Sequence, residues 1–483
     1  MRQICLVAVL ALGLVCGAAA DASRTARPSP LTQHFHSRPD LKPPGVHLGK
    51  RASGAVSPGY IFVAPKLRVT QAGPEILDNN GQVVWFRPVD AKDVADFRVQ
   101  TYRGEPVLTW WRGRAPGGVG GGYYVIYDAT YHKIAQVKAG RGMIGDLHEF
   151  LITPRDSALI TIYKRRPADL RAVGGPRAGR IFDGIVQEID IATGRVLFEW
   201  HSWPRVGLKE SYAKAPSASD GRKARPYDYF HINSIELEPD GNLLVSARNT
   251  HAVYKISRST GKILWRLGGK RSDFRLGRGV RFAWQHDARR LPDGAISLFD
   301  NQSTPPLAKF SRVLVLDVDE AAKRATLRRS FRHPKGLLAP FEGNAQFLPN
   351  GHVFVGWGAT SFYSEFDAGG RLLLDGRIGL LGPPGREADT YRAYRFEWRG
   401  RPTDVPALVV SRGTAWVSWN GATDVATWEL LGGSTPEQLN VVASAHKRTF
   451  ETGIPVPAGP AYVAVRALAA DGRVLATSAT RRR

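Results

Sequence analysis

A short strand running into a tight turn recurs along the middle of this chain, and the turns repeat in kind. They are Thr153-Pro154-Arg155-Asp156, Glu238-Pro239-Asp240-Gly241, Leu291-Pro292-Asp293-Gly294 and Leu348-Pro349-Asn350-Gly351. Proline presets one turn dihedral, and glycine or aspartate tolerates the left-handed one that follows. Residues 230–269 read as one full unit: FHINSIELE and NLLVSARN around PDG, then AVYKIS and KILWRLGG around RSTG. Related units begin near Asp146, Trp284 and Phe341, and less regular ones cover 97–139 and 60–89. Long amphipathic helical stretches are almost absent, so the chain is expected to be all-β. Radial repetition of four-stranded sheets is a β-propeller, here of about six blades. The segment Tyr391 to Trp398 is a spare strand after the last unit. Pairing it into the first blade would close the ring and leave few edges exposed.

After Arg401-Pro402 the repeat ends, and alternating strands such as Thr414-Ala415-Trp416-Val417-Ser418-Trp419 and Tyr462-Val463-Ala464-Val465-Arg466 take over. This tail resembles a fibronectin type III sandwich. The expected fold is therefore an all-β chain, a six-bladed β-propeller followed by a small β-sandwich. Its expected divisions are 1–20 an export signal, 21–56 an extended leader laid along the surface, 57–400 the catalytic propeller and 401–483 the sandwich. Two stretches, 165–180 and 203–226, read as insertions that shape the mouth of a site.

The N-terminus carries Arg2, an apolar run from Ile4 to Gly17 and Ala18-Ala19-Ala20 before Asp21, the pattern of a cleaved secretory signal. A secreted, periplasmic or cell-surface location is expected. Both cysteines, Cys5 and Cys16, fall inside that signal. A mature chain without cysteine has no disulfide, thiolate nucleophile or cysteine metal site, and depends on packing for stability. The 67 Lys and Arg against 43 Asp and Glu give a formal charge of +24. That balance suits contact with an anionic cell surface or the steering of small anions. Export and the lack of a recognised binding motif argue against nucleic acid.

Six residues before the turn proline stand His148, Asn233 and His286, each near the start of its strand, with His231 two residues before Asn233. The fourth unit, Gly343-Asn344-Ala345-Gln346, has no histidine at that phase. In a propeller the inner strand of each blade lines the axis, so these side chains would converge from distant segments. A lone histidine is most often a packed core residue, but polar strand starts in phase face a channel. Arg248 follows on the next strand, and its fork of donors suits a tetrahedral oxyanion. Asp146 and Asp287 adjoin histidines and are expected to point elsewhere along their strands. A His/Arg/Asn cluster without a carboxylate ligand set reads as a sulfate or phosphate pocket, with no cofactor and no metal. Trp284, Phe341, Trp357, Phe362 and Tyr363 are candidates to stack an aryl ring, with blade packing the commoner use of such residues.

His231-Ile232-Asn233, Arg248, Gln285-His286 and the earlier His148, in that order and phase, resemble the PAPS-independent arylsulfotransferase (aryl-sulfate sulfotransferase) family over residues 55–398. That resemblance implies a six-bladed propeller and transfer of a sulfuryl group from an aryl sulfate donor to a phenolic acceptor. It implies His286 as the nucleophile that becomes sulfohistidine, with His148, His231, Asn233 and Arg248 holding the sulfuryl oxygens. No nucleotide donor is implied. The chain departs from the well-studied members in lacking a disulfide and in carrying its sandwich after the propeller. Two other readings stay open: a non-catalytic exported propeller that binds anionic or sulfated surface ligands, and a propeller hydrolase or quinone-dependent dehydrogenase. The last has neither an acidic metal-ligand set nor a quinoprotein tryptophan repeat to support it.

Overall fold

The computed structural model describes residues 31–90, 93–219, 225–379 and 388–483. The expected export signal, both cysteines and residues 21–30 of the expected leader lie outside the described residues. Among the described residues the chain is all-β, its only helical elements being three-residue 3-10 turns such as Arg248–Thr250.

Ile232–Leu237, Leu243–Ala247, Ala252–Ile256 and Ile263–Gly268 pair in chain order as an antiparallel meander. The same four-strand pattern spans Gly145–Ile152 to Val196–His201, His286–Arg290 to Arg324–Phe331, and Asn344–Phe347 to Leu372–Ile378. Another runs from Asp93–Tyr102 to Lys133–Val137 and meets its neighbour through a single bridge, Gly122 to Gly145. The sixth joins Tyr60–Val63, Glu75–Leu77 and Val83–Phe86 to the late strand Ala393–Phe396, with Tyr60 opposite Phe396 and Val63 opposite Ala393. The spare strand thus pairs into the first sheet, where its edge is covered. The repeated turn is the same device each time. The N–H of Thr153, Glu238, Leu291 and Leu348 donates to the carbonyl four residues on, at 2.8–2.9 Å. Its left-handed position is held by Asp156 once and by Gly241, Gly294 and Gly351 otherwise.

Two observations relate these meanders to one another. Their first strands, with Ala393–Phe396 standing for the first sheet, contact one another in sequence from Asp93–Tyr102 round to Ala393–Phe396, which touches Asp93–Tyr102 again. The hydrophobic clusters follow the same circuit. Phe62 and Trp85 pack with Trp110, Trp111 with Ile160, Leu159 with Ile235, Leu244 with Leu298, Phe299 with Val355, and Phe354 with Ile61. Central strands such as Leu243–Ala247 and Val353–Gly356 are buried along their whole length because both sheet faces meet a neighbour.

Among these first strands lies a buried ionic knot. Glu149 accepts from Arg98 Nη2 at 2.6 Å, Arg289 Nη2 at 2.6 Å and Arg392 Nη1 at 3.2 Å. Burial opposes its ionisation, but Arg289, Arg392 and Arg98 together hold the carboxyl well below the usual carboxylate range. Asp287 faces the same knot, accepting from Arg289 Nε at 2.9 Å and from the Ala345 N–H at 3.1 Å.

The stretch read as a surface leader is more engaged than expected. Val46–Lys50 adds a fifth strand to Leu372–Ile378, because Val46 and Leu48 pack beside Ile378. Upstream, Phe35 packs on Phe450 at 4.3 Å and Ser37 Oγ donates to Glu451 at 2.5 Å. The stretch read as an insertion at 165–180 begins and ends in a long hairpin, Ser157–Ala168 paired to Gly179–Asp190, and between the strands carries the 3-10 turn Arg171–Val173. Residues past 405 form two further sheets, Ala407–Ser411 with Thr414–Ser418 and Glu451–Pro455, and a five-stranded one centred on Thr427–Gly433 and Tyr462–Leu468. Both bury side chains in one cluster that includes Val417, Trp428, Ile454 and Val465.

Candidate functional site

The starts of the inner strands open into a cavity of about 1060 Å³ whose wall includes His148, His231, Arg248, His286, Glu342 and Tyr391. His286 is the first residue of its strand and is buried. Its Nδ1 lies 2.7 Å from Asn301 Oδ1. Asn301 Nδ2 is spent on the carbonyls of Ala339 at 3.2 Å and Glu342 at 2.9 Å, so Oδ1 must be the acceptor. The proton therefore sits on Nδ1, and Nε2 keeps its lone pair, met by the Glu342 N–H at 3.3 Å. Burial, with the positive charge of Arg248 next, pushes this imidazole well below its ordinary value. It is a neutral base with a fixed tautomer.

The other two histidines are backed by carboxylates. His148 Nδ1 bonds Asp146, and His231 Nδ1 bonds Asp228, so Nε2 is the ring nitrogen that each offers to a guest. Their rings meet edge to face at 4.9 Å, and His148 lies 5.6 Å from Tyr391. Burial lowers the pKa of His148 despite the adjacent Asp146. The placement of Asp146 corrects the expectation that it points away. It stands two residues before His148, and the period-two alternation of a strand puts both on one face. Asp287, one residue after His286, does point elsewhere, into the ionic knot.

Arg248 Nη1 donates to Asn249 Oδ1 at 2.9 Å, Nη2 reaches the Pro340 carbonyl at 3.4 Å, and the guanidinium lies 4.8 Å from the Trp284 ring centroid. Among the described residues no carboxylate makes an ion pair with it. Burial lowers its pKa to about 10, so it stays cationic at neutral pH and under-compensated. Such a cation is a receptor for an anion.

Asn233 stands apart from this group. It is fully buried, is not on the cavity wall, and its Nδ2 donates to the Gln285 carbonyl at 2.7 Å. Its donor is committed to the backbone just before His286. Of the five aromatic candidates, only Phe341 is on the wall. Trp284 lies against Arg248 and His251, Trp357 and Tyr363 are core, and Phe362 packs on His333.

Four wall or support residues were not anticipated: Asp228, Asn301, Glu342 and Tyr391. Asn301 directly follows its unit's second strand, as Arg248 follows its own, a correspondence visible in the sequence. Glu342 was hidden by a register effect. The units at Ile232–Leu237 and His286–Arg290 each carry a bulge near their start, whereas Asn344–Phe347 pairs without one. Counting six back from the turn proline therefore lands on Gly343, one residue too far. The structural equivalent of His286 is Asn344, and that of His231 and Trp284 is Glu342. All three of these last residues have left-handed φ, at 53°, 57° and 66°.

A second cavity of about 1190 Å³ adjoins the first, sharing Arg114, Asp228 and Asn249 and adding Arg165, Phe182 and Tyr227.

An all-β chain of antiparallel sheets, with imidazoles and a guanidinium that has no ion-pair partner among the described residues around one cavity, defines a class, that of an anion-receptive pocket on a β scaffold. The sequence profile of the arylsulfotransferase (ASST) family matches residues 98–379, more than half of the chain, and the chain belongs to that family. No curated protein matches it. Among solved structures it is similar to a protein of unknown function from Bacteroides caccae, with 12% identity and a TM-score of 0.40 over 70% of this chain and 98% of that one. It is also similar to the periplasmic gluconolactonase of Pseudomonas aeruginosa, with 13% identity and a TM-score of 0.36 over 88% and 96%. A third is virginiamycin B lyase from Staphylococcus aureus, with 9% identity and a TM-score of 0.34 over 78% and 96%. At TM-scores below 0.5 these likenesses carry nothing about activity.

Proposed function

We propose that this chain is an exported arylsulfotransferase that moves a sulfuryl group from an aryl sulfate to a phenol through a sulfohistidine on His286, without a nucleotide donor. The observation that carries the reading is the locked tautomer of His286, which leaves Nε2 unprotonated beside a cavity shared with Arg248, His148 and His231, its lone pair met by a long 3.3 Å bond from the Glu342 N–H that gives way as the N–S bond forms. The lone pair attacks sulfur, the N–S bond forms, and the S–O bond to the aryl group breaks with its electrons on the phenolate. Arg248 donates to the sulfuryl oxygens as charge shifts, and His148 and His231, held through Nδ1 by Asp146 and Asp228, border the same cavity. The phenolic acceptor then attacks sulfur and returns the electron pair to Nε2. Asn233, expected to touch the sulfuryl group, fits better as a positioning residue, since its amide grips the Gln285 carbonyl.

In this reading the six meanders are blades of one propeller spanning 57–400, and 401–483 is a fibronectin type III-like sandwich. Residues 1–20 are a cleaved signal, and 21–56 a leader that also adds an edge strand. The net positive charge favours anionic substrates or an anionic cell surface.

The test is His286→Asn in the full mature chain, assayed for 4-nitrophenol release from 4-nitrophenyl sulfate with a phenol acceptor. Loss of turnover, with acid-labile sulfur-35 trapped only on the wild type, is expected. Full retention of turnover removes His286 as nucleophile. Saturable binding of sulfated glycan with no turnover on any aryl sulfate favours the non-catalytic scaffold instead.

A further inference from the structure

Beside the nucleophile, the cavity wall carries an ionic cluster that the sulfuryl pocket leaves unused. Lys66 Nζ lies 3.1 Å from Glu342 Oε1 and 3.7 Å from Asp389 Oδ2. All three are buried, and all border the cavity that His286 borders. Glu342 is also the residue whose N–H meets His286 Nε2 at 3.3 Å. Its left-handed φ of 66° is uncommon for a residue with a side chain, and such conformations gather at functional sites.

The charge count of the cluster is odd. Among the described residues two carboxyls face one ammonium in ion-pair contact, and Glu342 Oε2 and Asp389 Oδ1 are buried with no hydrogen-bond partner. A second uncompensated negative charge among buried side chains is unfavourable, as it is for buried ions generally. One proton shared by the two carboxyls removes that charge and supplies the missing donor, as in other close carboxylate pairs. Burial, followed by the proximity of Asp389, accordingly pushes Glu342 well above the carboxylate range, against the pull of Lys66.

We propose that Glu342, paired with Asp389 and Lys66, is the general acid that protonates the departing phenolate and the general base for the incoming phenol. The proposal rests on His286 being the nucleophile. In the first half-reaction the S–O bond breaks as the N–S bond forms, and the Glu342 proton moves to the phenolate oxygen. The pair then carries one negative charge beyond what Lys66 balances, and that charge is offset by the cationic ring of the N-sulfo-imidazolium formed on His286. In the second half-reaction the acceptor phenol gives its proton to Glu342 as its oxygen attacks sulfur, and the pair returns to its starting state.

The test is a leaving-group series. Wild type, Glu342→Gln and Asp389→Asn are assayed on aryl sulfates running from 4-nitrophenyl to phenyl and 4-methylphenyl. An acid matters most where the phenolate is a poor leaving group. Glu342→Gln should therefore lose about 10²- to 10⁴-fold on phenyl sulfate and less than about tenfold on 4-nitrophenyl sulfate. Asp389→Asn, which leaves Glu342 ionised against Lys66, should steepen the series in the same direction, and it serves if Glu342→Gln does not fold. Equal losses across the series in the folded variant, or none, overturn the proposal. Sulfur-35 trapping separates the two levels. Label on the wild type with a parallel series rejects Glu342 alone, whereas no label on the wild type rejects the sulfohistidine reading and this proposal with it.

Discussion

Replacing Asn301 by leucine removes the acceptor that holds the proton of His286 on Nδ1 without touching the cavity wall itself. Asn301 makes three bonds, one from His286 Nδ1 at 2.7 Å and two to the carbonyls of Ala339 and Glu342. Leucine makes none. A buried N–H without an acceptor costs about 1–3 kcal/mol, and that cost falls on the productive tautomer alone. At about 1.4 kcal/mol per decade, kcat should drop roughly 5- to 150-fold. The two stranded carbonyls also weaken the fold, so kcat is normalised to the folded fraction from a circular dichroism melt. Asn301→Asp is the companion variant. It keeps an acceptor for Nδ1–H but adds a negative charge that favours the imidazolium, so activity should survive at high pH and acquire an acid limb on descent. The assay is initial-rate 4-nitrophenol release between pH 5 and 9. An Asn301→Leu protein that is fully folded and turns over at the wild-type rate, with an unchanged pH profile, would show that the Nε2 lone pair is not the reacting atom.

Three further outcomes follow from the same geometry. Arg248→Gln should lower kcat/KM about 10- to 150-fold, the value of a charge-assisted bond of 1.5–3 kcal/mol. It should also make His286 easier to protonate; Arg248→Lys should restore only part, and steady-state kinetics on the three forms decide it. Glu149→Gln leaves Arg98, Arg289 and Arg392 without their shared carboxylate and should cost about 3–5 kcal/mol in urea unfolding, a change under 1 kcal/mol being incompatible with the knot as a structural centre. Three buried histidines should each cost stability as pH drops below about 6.5, against the raised carboxyls of Glu75, Glu236 and Glu342, which act in the opposite sense. There the unfolded histidines bind protons that the buried His148 and His286, both with lowered values, and His251, at about 3, refuse. The histidine part is isolated by comparison with His251→Asn, whose melting temperature should fall less steeply, or rise more, from pH 7 to 5 than that of the wild type; an identical slope contradicts the assignment.

The all-β character was legible because short apolar runs, recurrent Pro-Asp-Gly turns and the spare strand near residue 394 each report on nearby residues. His148, His231, His286 and Arg248 were legible for a related reason: strand phase predicts which way a side chain faces, and all four reach one cavity. Phase counting failed where the backbone departs from regularity. A bulge present in two units and absent from a third shifted the count by one and concealed Glu342. Asn233 shows the opposite error. Its phase is right, but its amide is claimed by a backbone carbonyl that the sequence does not reveal as a neighbour.

The sequence by itself therefore determined the repeat, the turn at each hairpin and the set of polar strand starts, because these depend on local sterics and on the period of two. Only the tertiary structure decided which nitrogen of His286 bears its proton, that Arg248 has no ion-pair partner among the described residues, and that Lys66, Glu342 and Asp389 meet. Those facts depend on partners up to hundreds of residues away, and on a burial that sets how strongly each charge is felt. Neither quantity has a signature in any single stretch of chain.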